Sequence, residues 1–200
     1  MKRLLFFVLF LSFLFPLFPQ PKGKVLFIIA PVNFRDEELL IPYRIVNEAG
    51  YKGVIASRNL QSCRGMLGRI VKPDITISQI EVEEYLAIIL VGGSGAKIYW
   101  NDPQIHQIFR EALEKGKIIG AICISPVTLA RAGLLNGKKA TVWWSPGFDL
   151  RKEITRGGGK YISNPVVVDG RVITANGPKA AQEFGKKIVE LLNFYFQGSK

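Results

Sequence analysis

Apolar residues fall in short unbroken runs along most of the chain. Lys24-Val25-Leu26-Phe27-Ile28-Ile29-Ala30 is one, Leu86-Ala87-Ile88-Ile89-Leu90-Val91 another, and Lys117-Ile118-Ile119-Gly120-Ala121-Ile122 a third. A strand covered on both faces has no polar face to alternate with, so such runs predict buried strands of a parallel sheet. Between them the period changes. Asp36 to Ala49 spaces Leu39, Leu40, Tyr43, Ile45 and Val46 as a helix does, and Gly50 stops it. Tyr51 to Ser57 predicts a second strand. Arg64 to Ser78 sets Gly65, Gly68 and Pro73 between short alternating stretches, which predicts a hairpin excursion. Further helices are expected over about Asp102 to Lys115 and from Pro126 to Gly133, and Lys139 to Trp143 reads as a strand. Val166 to Thr174 predicts a hairpin turning at Asp169-Gly170, and Pro178 opens a last helix to about Leu192. Strand and helix alternate, so the fold class is α/β, with a mostly parallel sheet and helices on both faces. In such sheets ligands gather at the carboxyl ends of the strands. The loop after Val91, the corner at Cys123 and the helix start at Asp36 all lie there.

The two ends depart from this pattern. Lys2-Arg3 precede an apolar run from Leu4 to Phe18 that only Ser12 and Pro16 interrupt. That is the pattern of a secretory signal, and it is short for a spanning helix. Phe18-Pro19-Gln20-Pro21 offers no small-x-small cleavage site, so an uncleaved anchor fits as well, and no nearby cysteine could carry a lipid. Residues 1–21 are therefore expected to be a signal peptide or N-terminal membrane anchor. The protein would then be exported (periplasmic or extracellular) or tethered to a membrane by that segment. The folded domain is expected over 22–192. Asn193-Phe194-Tyr195-Phe196-Gln197-Gly198-Ser199 is close to a tobacco-etch-virus protease site, and 193–200 is expected to be a foreign tail.

Charge and motif content narrow the chemistry. The formal net charge is +11, but the basic residues are scattered, with no run beyond Lys138-Lys139 or Lys186-Lys187. A solvated basic surface accounts for this, and no nucleic-acid partner is expected. His106 is the only histidine and the cysteines are Cys63 and Cys123, so no metal site is expected. The two cysteines could pair in an oxidising compartment, yet two do not make a disulfide framework. There is neither a Gly-x-x-x-x-Gly-Lys loop nor a Gly-x-Gly-x-x-Gly after the first strand, and no cofactor is expected.

Cys123 is the candidate reactive residue. It stands between a predicted buried strand and a helix with Pro126 in its first turn. Held out from the sheet at such a corner, a sulfur faces unpaired helix N–H groups that favour thiolate. A small core hydrophobe is the other reading of a free cysteine, and position alone admits both.

Four stretches carry a resemblance to a known family: Lys24-Val25-Leu26-Phe27 leading to Asp36-Glu37-Glu38-Leu39; Leu90-Val91-Gly92-Gly93; Ala121-Ile122-Cys123-Ile124-Ser125-Pro126; and Asp169-Gly170-Arg171-Val172-Ile173-Thr174-Ala175-Asn176-Gly177-Pro178. In this order and spacing, from about Lys24 to Leu192, the chain resembles the ThiJ/PfpI superfamily, relatives of the class I glutamine amidotransferases. The resemblance implies a flavodoxin-like three-layer sandwich and a corner cysteine matching Cys123. It implies a partner acid matching Glu38, with Glu37 the alternative one residue off register. A protonated Glu38 could donate to a thiolate and tune its pKa or oxidation. Gly92 and Gly93 match the loop whose amides form an oxyanion site, with the Ile124 amide as a second donor. Ser125, Trp144 and Ser145 are expected at the pocket, with Trp143 as a further wall. A homodimer or higher homo-oligomer and a small-molecule substrate are implied as partners.

The departures shape the function. Peptidase-like members place a histidine directly after the cysteine, where this chain has Ile124. Others supply one near Trp143-Trp144-Ser145-Pro146, where it has Trp144 and Ser145. His106 lies in the helix beyond the Gly-Gly loop. Peptide hydrolysis, which must protonate a leaving amine, loses support unless a partner subunit supplies the base. Addition of Cys123 to a small reactive carbonyl such as methylglyoxal needs one thiolate and one acid, and survives. A redox-responsive or chaperone-like module with an oxidisable Cys123 is the alternative, and a decayed site on an exported interaction domain is the third reading.

Overall fold

A computed structural model of the chain describes residues 20–198. Residues 1–19 of the expected leader lie outside the described residues. Among the described residues no helix is long and apolar enough to cross a membrane.

The chain-order elements that build the domain begin with β1 (Lys24–Ile28), α1 (Asp36–Glu48), β2 (Lys52–Ser57), β3 (Ile75–Thr76) and β4 (Tyr85–Leu90). They continue with α2 (Pro103–Glu114), β5 (Ile118–Ile122), α3 (Pro126–Arg131) and α4 (Arg151–Arg156), and end with β6 (Val166–Asp169), β7 (Val172–Ala175) and α5 (Ala181–Leu192). The strands form one seven-stranded sheet in the order β6-β7-β5-β4-β1-β2-β3. Every neighbouring pair is parallel except the β6–β7 hairpin. Helices α1 and α5 pack together on one face and α2 with α3 on the other, giving the expected three-layer α/β sandwich.

The apolar runs form the middle of this sheet because both faces are covered. Residues Val25 to Ile29 and Ala87 to Val91 are fully buried. Ile28 pairs with Leu90, Leu90 with Ala121, and Ile122 with Ala175, so the carboxyl ends of four strands are level. Strand order reverses at β1: β2 lies on one side of it and β4 on the other. The loops leaving β1 and β4 therefore part in opposite directions and open a crevice between them.

Two close approaches fix α1. Pro42 lies inside it and removes the N–H that would meet the Glu38 carbonyl. The ring is buried where Gly185 lets α5 come near; a Cβ at Gly185 would stand 2.9 Å from the Pro42 Cα. At the helix start, the Asp36 carboxylate accepts the Leu67 amide at 2.8 Å and the Arg69 amide at 2.9 Å. Those amides lie in the turn between Cys63–Gly65 and Ile70–Val71, a hairpin within the expected Arg64 to Ser78 excursion that Val32–Phe34 extends to a three-stranded ribbon. A side chain at Gly65 would overlap Asp36, so glycine is required for this clamp.

Three expectations change. The segment read as a strand from Lys139 to Trp143 pairs only at Lys139–Ala140, with Lys160–Tyr161, outside the main sheet. β7 already occupies the edge of β5, and the chain turns away so that the Trp143 amide donates to the Cys123 carbonyl at 2.8 Å. The helix after Cys123 ends at Arg131, and the last helix is preceded by a 3-10 turn at Pro178–Ala180. Beyond α5 the chain runs on as a π-helical turn over Asn193–Gln197. Tyr51 donates to the Asn193 side chain at 2.8 Å, and the Arg171 guanidinium stands 3.7 Å from the Tyr195 ring centre.

Asp36 supplies the prediction from this geometry. Asp36→Ala leaves a buried void and releases two amides bonded to a charge, and is expected to cost about 2 kcal/mol in urea unfolding. A loss under about 0.5 kcal/mol, the range of an ordinary surface change, would show that the clamp does not hold the ribbon.

Candidate functional site

Cys123 follows β5 directly and has φ +64°, a left-handed backbone conformation. Non-glycine residues adopt it at a cost, and it persists only where the surroundings impose it. Here the corner is pinned on several sides. The Cys123 amide donates to the Ala175 carbonyl at 2.9 Å, its carbonyl accepts from Trp143, and the Ser125 amide reaches back to the Ile122 carbonyl at 3.1 Å. The forced turn aims the side chain away from the sheet and into the crevice. The amides of Gly93 and Ile124 face the sulfur.

Glu38 comes from the first turn of α1 and is completely buried. Its polar neighbours are the Cys123 thiol and the Gly92 amide, and neither carboxyl oxygen has a protein hydrogen bond of ordinary geometry. Gly92 makes the meeting possible. A Cβ there would overlap a Glu38 carboxyl oxygen and approach the Cys123 Cβ at 2.5 Å and the Ile122 carbonyl at 2.6 Å. Of the predicted amides, Gly93 and Ile124 therefore stand at the sulfur and Gly92 at the acid. Glu37 is elsewhere: its carboxylate takes Arg35 bidentately, at 2.8 and 3.0 Å, on the rim.

Burial sets the protonation. Desolvation raises the Glu38 pKa to about 8, against smaller opposing effects of the neighbouring Cys123 thiol and the Arg35 charge. The thiol is also pushed up, first by burial and then by the Glu38 charge, while the Gly93 and Ile124 amides pull it down. Burial thus opposes the thiolate that a helix terminus favours. Helix α3 has six residues, and the sulfur beside it is largely out of water. A protonated Glu38 removes the second of the two opposing causes, so thiol and carboxyl behave as one proton-sharing pair.

A cavity of about 450 Å³ opens over this pair, lined among others by Arg35, Met66, Lys97, Trp143, Ser145 and Phe148. Two expected pocket residues are not there. Ser125 is fully buried, and its hydroxyl donates to the Val91 carbonyl at 2.9 Å, tying the corner to the loop after β4. Trp144 is 48% exposed and lies outside the cavity under the Arg151 guanidinium; extended backbone alternates sides, and Trp143 takes the inner one. Arg35, Met66, Lys97 and Phe148 were not legible as pocket residues, since each reaches the cavity from a turn or ribbon with no periodic signal. His106 is half-buried on α2, its ring bonded to the Trp100 carbonyl at 3.0 Å, and does not line the cavity. Cys63 is a buried free thiol on the ribbon, unpaired with Cys123. Among the described residues no three His, Cys, Asp or Glu side chains are grouped to hold a metal.

Residues 23–191 match the DJ-1/PfpI family model. An uncharacterised protein of Methanocaldococcus jannaschii is 42% identical over 171 residues, covering 85% of this chain and 82% of that protein. A deglycase of Pyrococcus horikoshii is 32% identical over 84% of this chain and 99% of its own length. Among solved structures, a ThiJ/PfpI domain protein from Brachyspira murdochii superposes with a TM-score of 0.81 at 29% identity, covering 87% of this chain and 98% of that one.

The raised Glu38 pKa is a statement about stability. From its ordinary 4.5 to about 8, the unfolded chain gives up a proton that the folded chain keeps. Stability from this group is thus intact below about 4.5 and falls as pH rises through the window, by up to about 1.4 kcal/mol per pH unit. Glu38→Gln is expected to flatten that slope in denaturant melts between pH 5 and 8. Parallel slopes for variant and wild type would mean that Glu38 ionises normally.

Proposed function

Because the chain belongs to the DJ-1/PfpI family, we propose that it is an enzyme acting on small reactive carbonyls, with Cys123 as nucleophile and Glu38 as its proton partner. One observation carries the reading: the cavity floor pairs a thiol with a buried carboxyl and contains no imidazole. The Pyrococcus horikoshii relative, named a deglycase, supports the same class of chemistry.

The steps follow for a 2-oxoaldehyde. The Glu38 carboxylate takes the Cys123 proton, and the sulfur attacks the aldehyde carbon. A C–S bond forms while the C=O π pair moves onto oxygen, where the Gly93 and Ile124 amides hold the developing charge. Glu38, now protonated, delivers its proton to that oxygen and becomes a base again. It removes the hydrogen from the former aldehyde carbon and, through an enediol, returns it to the adjacent carbonyl carbon, while the hydroxyl proton of the first oxygen passes to the second. The first carbon is thereby oxidised to a thioester and the second reduced to an alcohol, with no external oxidant. Water cleaves the thioester, releasing a 2-hydroxy acid and the thiol. Peptide hydrolysis ranks lower, because the leaving amine needs an acid that position 124, an isoleucine, does not supply.

A second reading has its own observation. Glu38 has two carboxyl oxygens without protein hydrogen bonds beside the sulfur, and its proton could hold a sulfinate formed by peroxide. On that reading Cys123 is a redox-responsive thiol, and a stable gain of two oxygens at this residue would mark it.

In the carbonyl reading the ionised carboxylate starts the cycle, so kcat/KM for methylglyoxal should rise with pH through about 8. Cys123→Ala should abolish turnover, and Glu38→Gln should lower it by about a hundredfold or more. Turnover by Cys123→Ala at the wild-type rate would overturn the assignment.

A further inference from the structure

We propose that the Cys123 cavity selects 2-oxoaldehydes that carry a carboxylate beyond the reacting carbonyls, and that Lys97 is the residue that selects them. The inference rests on the carbonyl-addition reading and adds a substrate class to it.

The charge balance of the cavity is the starting point. Besides Cys123, its ionisable lining residues are Arg35, Glu38 and Lys97. Arg35 is engaged bidentately by Glu37. Glu38 is buried and mostly neutral below pH 8. Lys97 has no carboxylate partner among the described residues. The carboxylates on neighbouring elements are engaged elsewhere: Asp36 by the Leu67 and Arg69 amides, Asp102 by Arg58, and Asp149 by Arg151. The Lys97 ammonium instead stands 5.0 Å from the centre of the Phe148 ring and 5.8 Å from that of Trp100. Phe148 is itself a cavity wall. The cavity thus carries one uncompensated positive charge beside apolar walls, and low-dielectric walls extend the reach of such a charge.

Geometry gives that charge a use. Lys97 lies in the 3-10 turn Ser94–Tyr99, which begins one residue after Gly93. The amide facing the sulfur and the backbone that carries the Lys97 side chain therefore belong to one short segment. A substrate whose carbonyl oxygen meets the Gly93 amide can place an apolar body along Trp143 and Phe148 and its far carboxylate near Lys97. Neutral carbonyls gain nothing from the last contact. Since Lys97 is exposed, the preference is expected to be several-fold and salt-sensitive.

The test compares anionic and neutral reagents at the same thiol. Cys123 is alkylated with 4-carboxyphenacyl bromide and with phenacyl bromide, the modified residue is identified by peptide mass, and the rate ratio is divided by that of the neutral free thiol 2-mercaptoethanol. Slow ionisation of the thiol lowers both rates and cancels. The normalised ratio is expected to be about five in wild type, to be kept by Lys97→Arg, and to fall to about one in Lys97→Gln or at about 0.5 M KCl. The ratio of kcat/KM for 4-carboxyphenylglyoxal over phenylglyoxal should fall about fivefold in Lys97→Gln. A reactive Cys123 whose ratio equals that of the free thiol, or does not respond to Lys97→Gln, overturns the inference and leaves the carbonyl reading standing. A Cys123 inert to both reagents overturns the two together.

Discussion

The site depends on a missing side chain. At Gly92 the end of β4, the first turn of α1 and the corner after β5 come closer than any Cβ would permit, since one there would meet Glu38, Cys123 and the Ile122 carbonyl together. Hydrogen bonds on either side of this glycine lock the approach. The Arg35 amide donates to the Gly92 carbonyl at 3.0 Å, and the Ser125 hydroxyl to the Val91 carbonyl at 2.9 Å. One bond holds the start of α1 and the other the start of α3. The strained backbone of Cys123 is the consequence on one side, and the complete burial of Glu38 the consequence on the other. Both features that give the cavity its chemistry are products of packing around one point in the sheet.

That dependence explains which parts of the molecule could be read from the sequence. The central strands were legible because a strand buried on both faces must be continuously apolar, and nothing else in a domain of this size needs such runs. The corner at Cys123 was legible because a buried strand ended immediately before a proline-opened helix. Glu38 over Glu37 was legible only through the resemblance, although a physical signal existed. Glu38 shares a helix face with Leu39, Pro42 and Val46, all buried, and an acid on such a face has to be neutral or paired. The Lys139 to Trp143 segment misled because its apolar content suits a strand, while its place depends on an edge that β7 had already taken. The choice of Trp143 over Trp144 depends on one backbone bond to Cys123, and no local pattern encodes a bond between residues so far apart. Lys97 and Met66 enter the cavity from turns, where periodicity carries no information.

Burial and the neighbouring acid decide between the two readings that position alone allows for Cys123. A helix terminus favours a thiolate when its amides act on a sulfur that water also reaches. Here the helix is short and the sulfur sits beneath the cavity against a second acid. Desolvation opposes every charge at this point, so the pair can carry one negative charge more readily than two, whichever atom bears it. A proton that moves between carboxyl and sulfur leaves the net charge of the buried pair unchanged, and so avoids the desolvation cost of a second charge. Proton transfer into or out of the pair is the expensive event.

The proposed chemistry needs no imidazole at the site. A histidine beside a cysteine makes an ion pair from two neutral groups, which a wet or cationic surrounding can support. A carboxylate beside a cysteine trades one anion for another and asks nothing new of its surroundings. The exchange suits additions in which the proton must return to the substrate's own oxygen a moment later, because the group that accepted it is still within reach. It does not suit expulsion of an amine, where a proton must reach an atom on the far side of the scissile bond. An isoleucine at position 124, a buried Glu38 that ionises only near pH 8, and a Lys97 ammonium with no carboxylate partner among the described residues fit that proposal together. On the proposed reading the floor of the cavity manages a single mobile proton, while the positive charge of Lys97 stands at the wall beside Phe148.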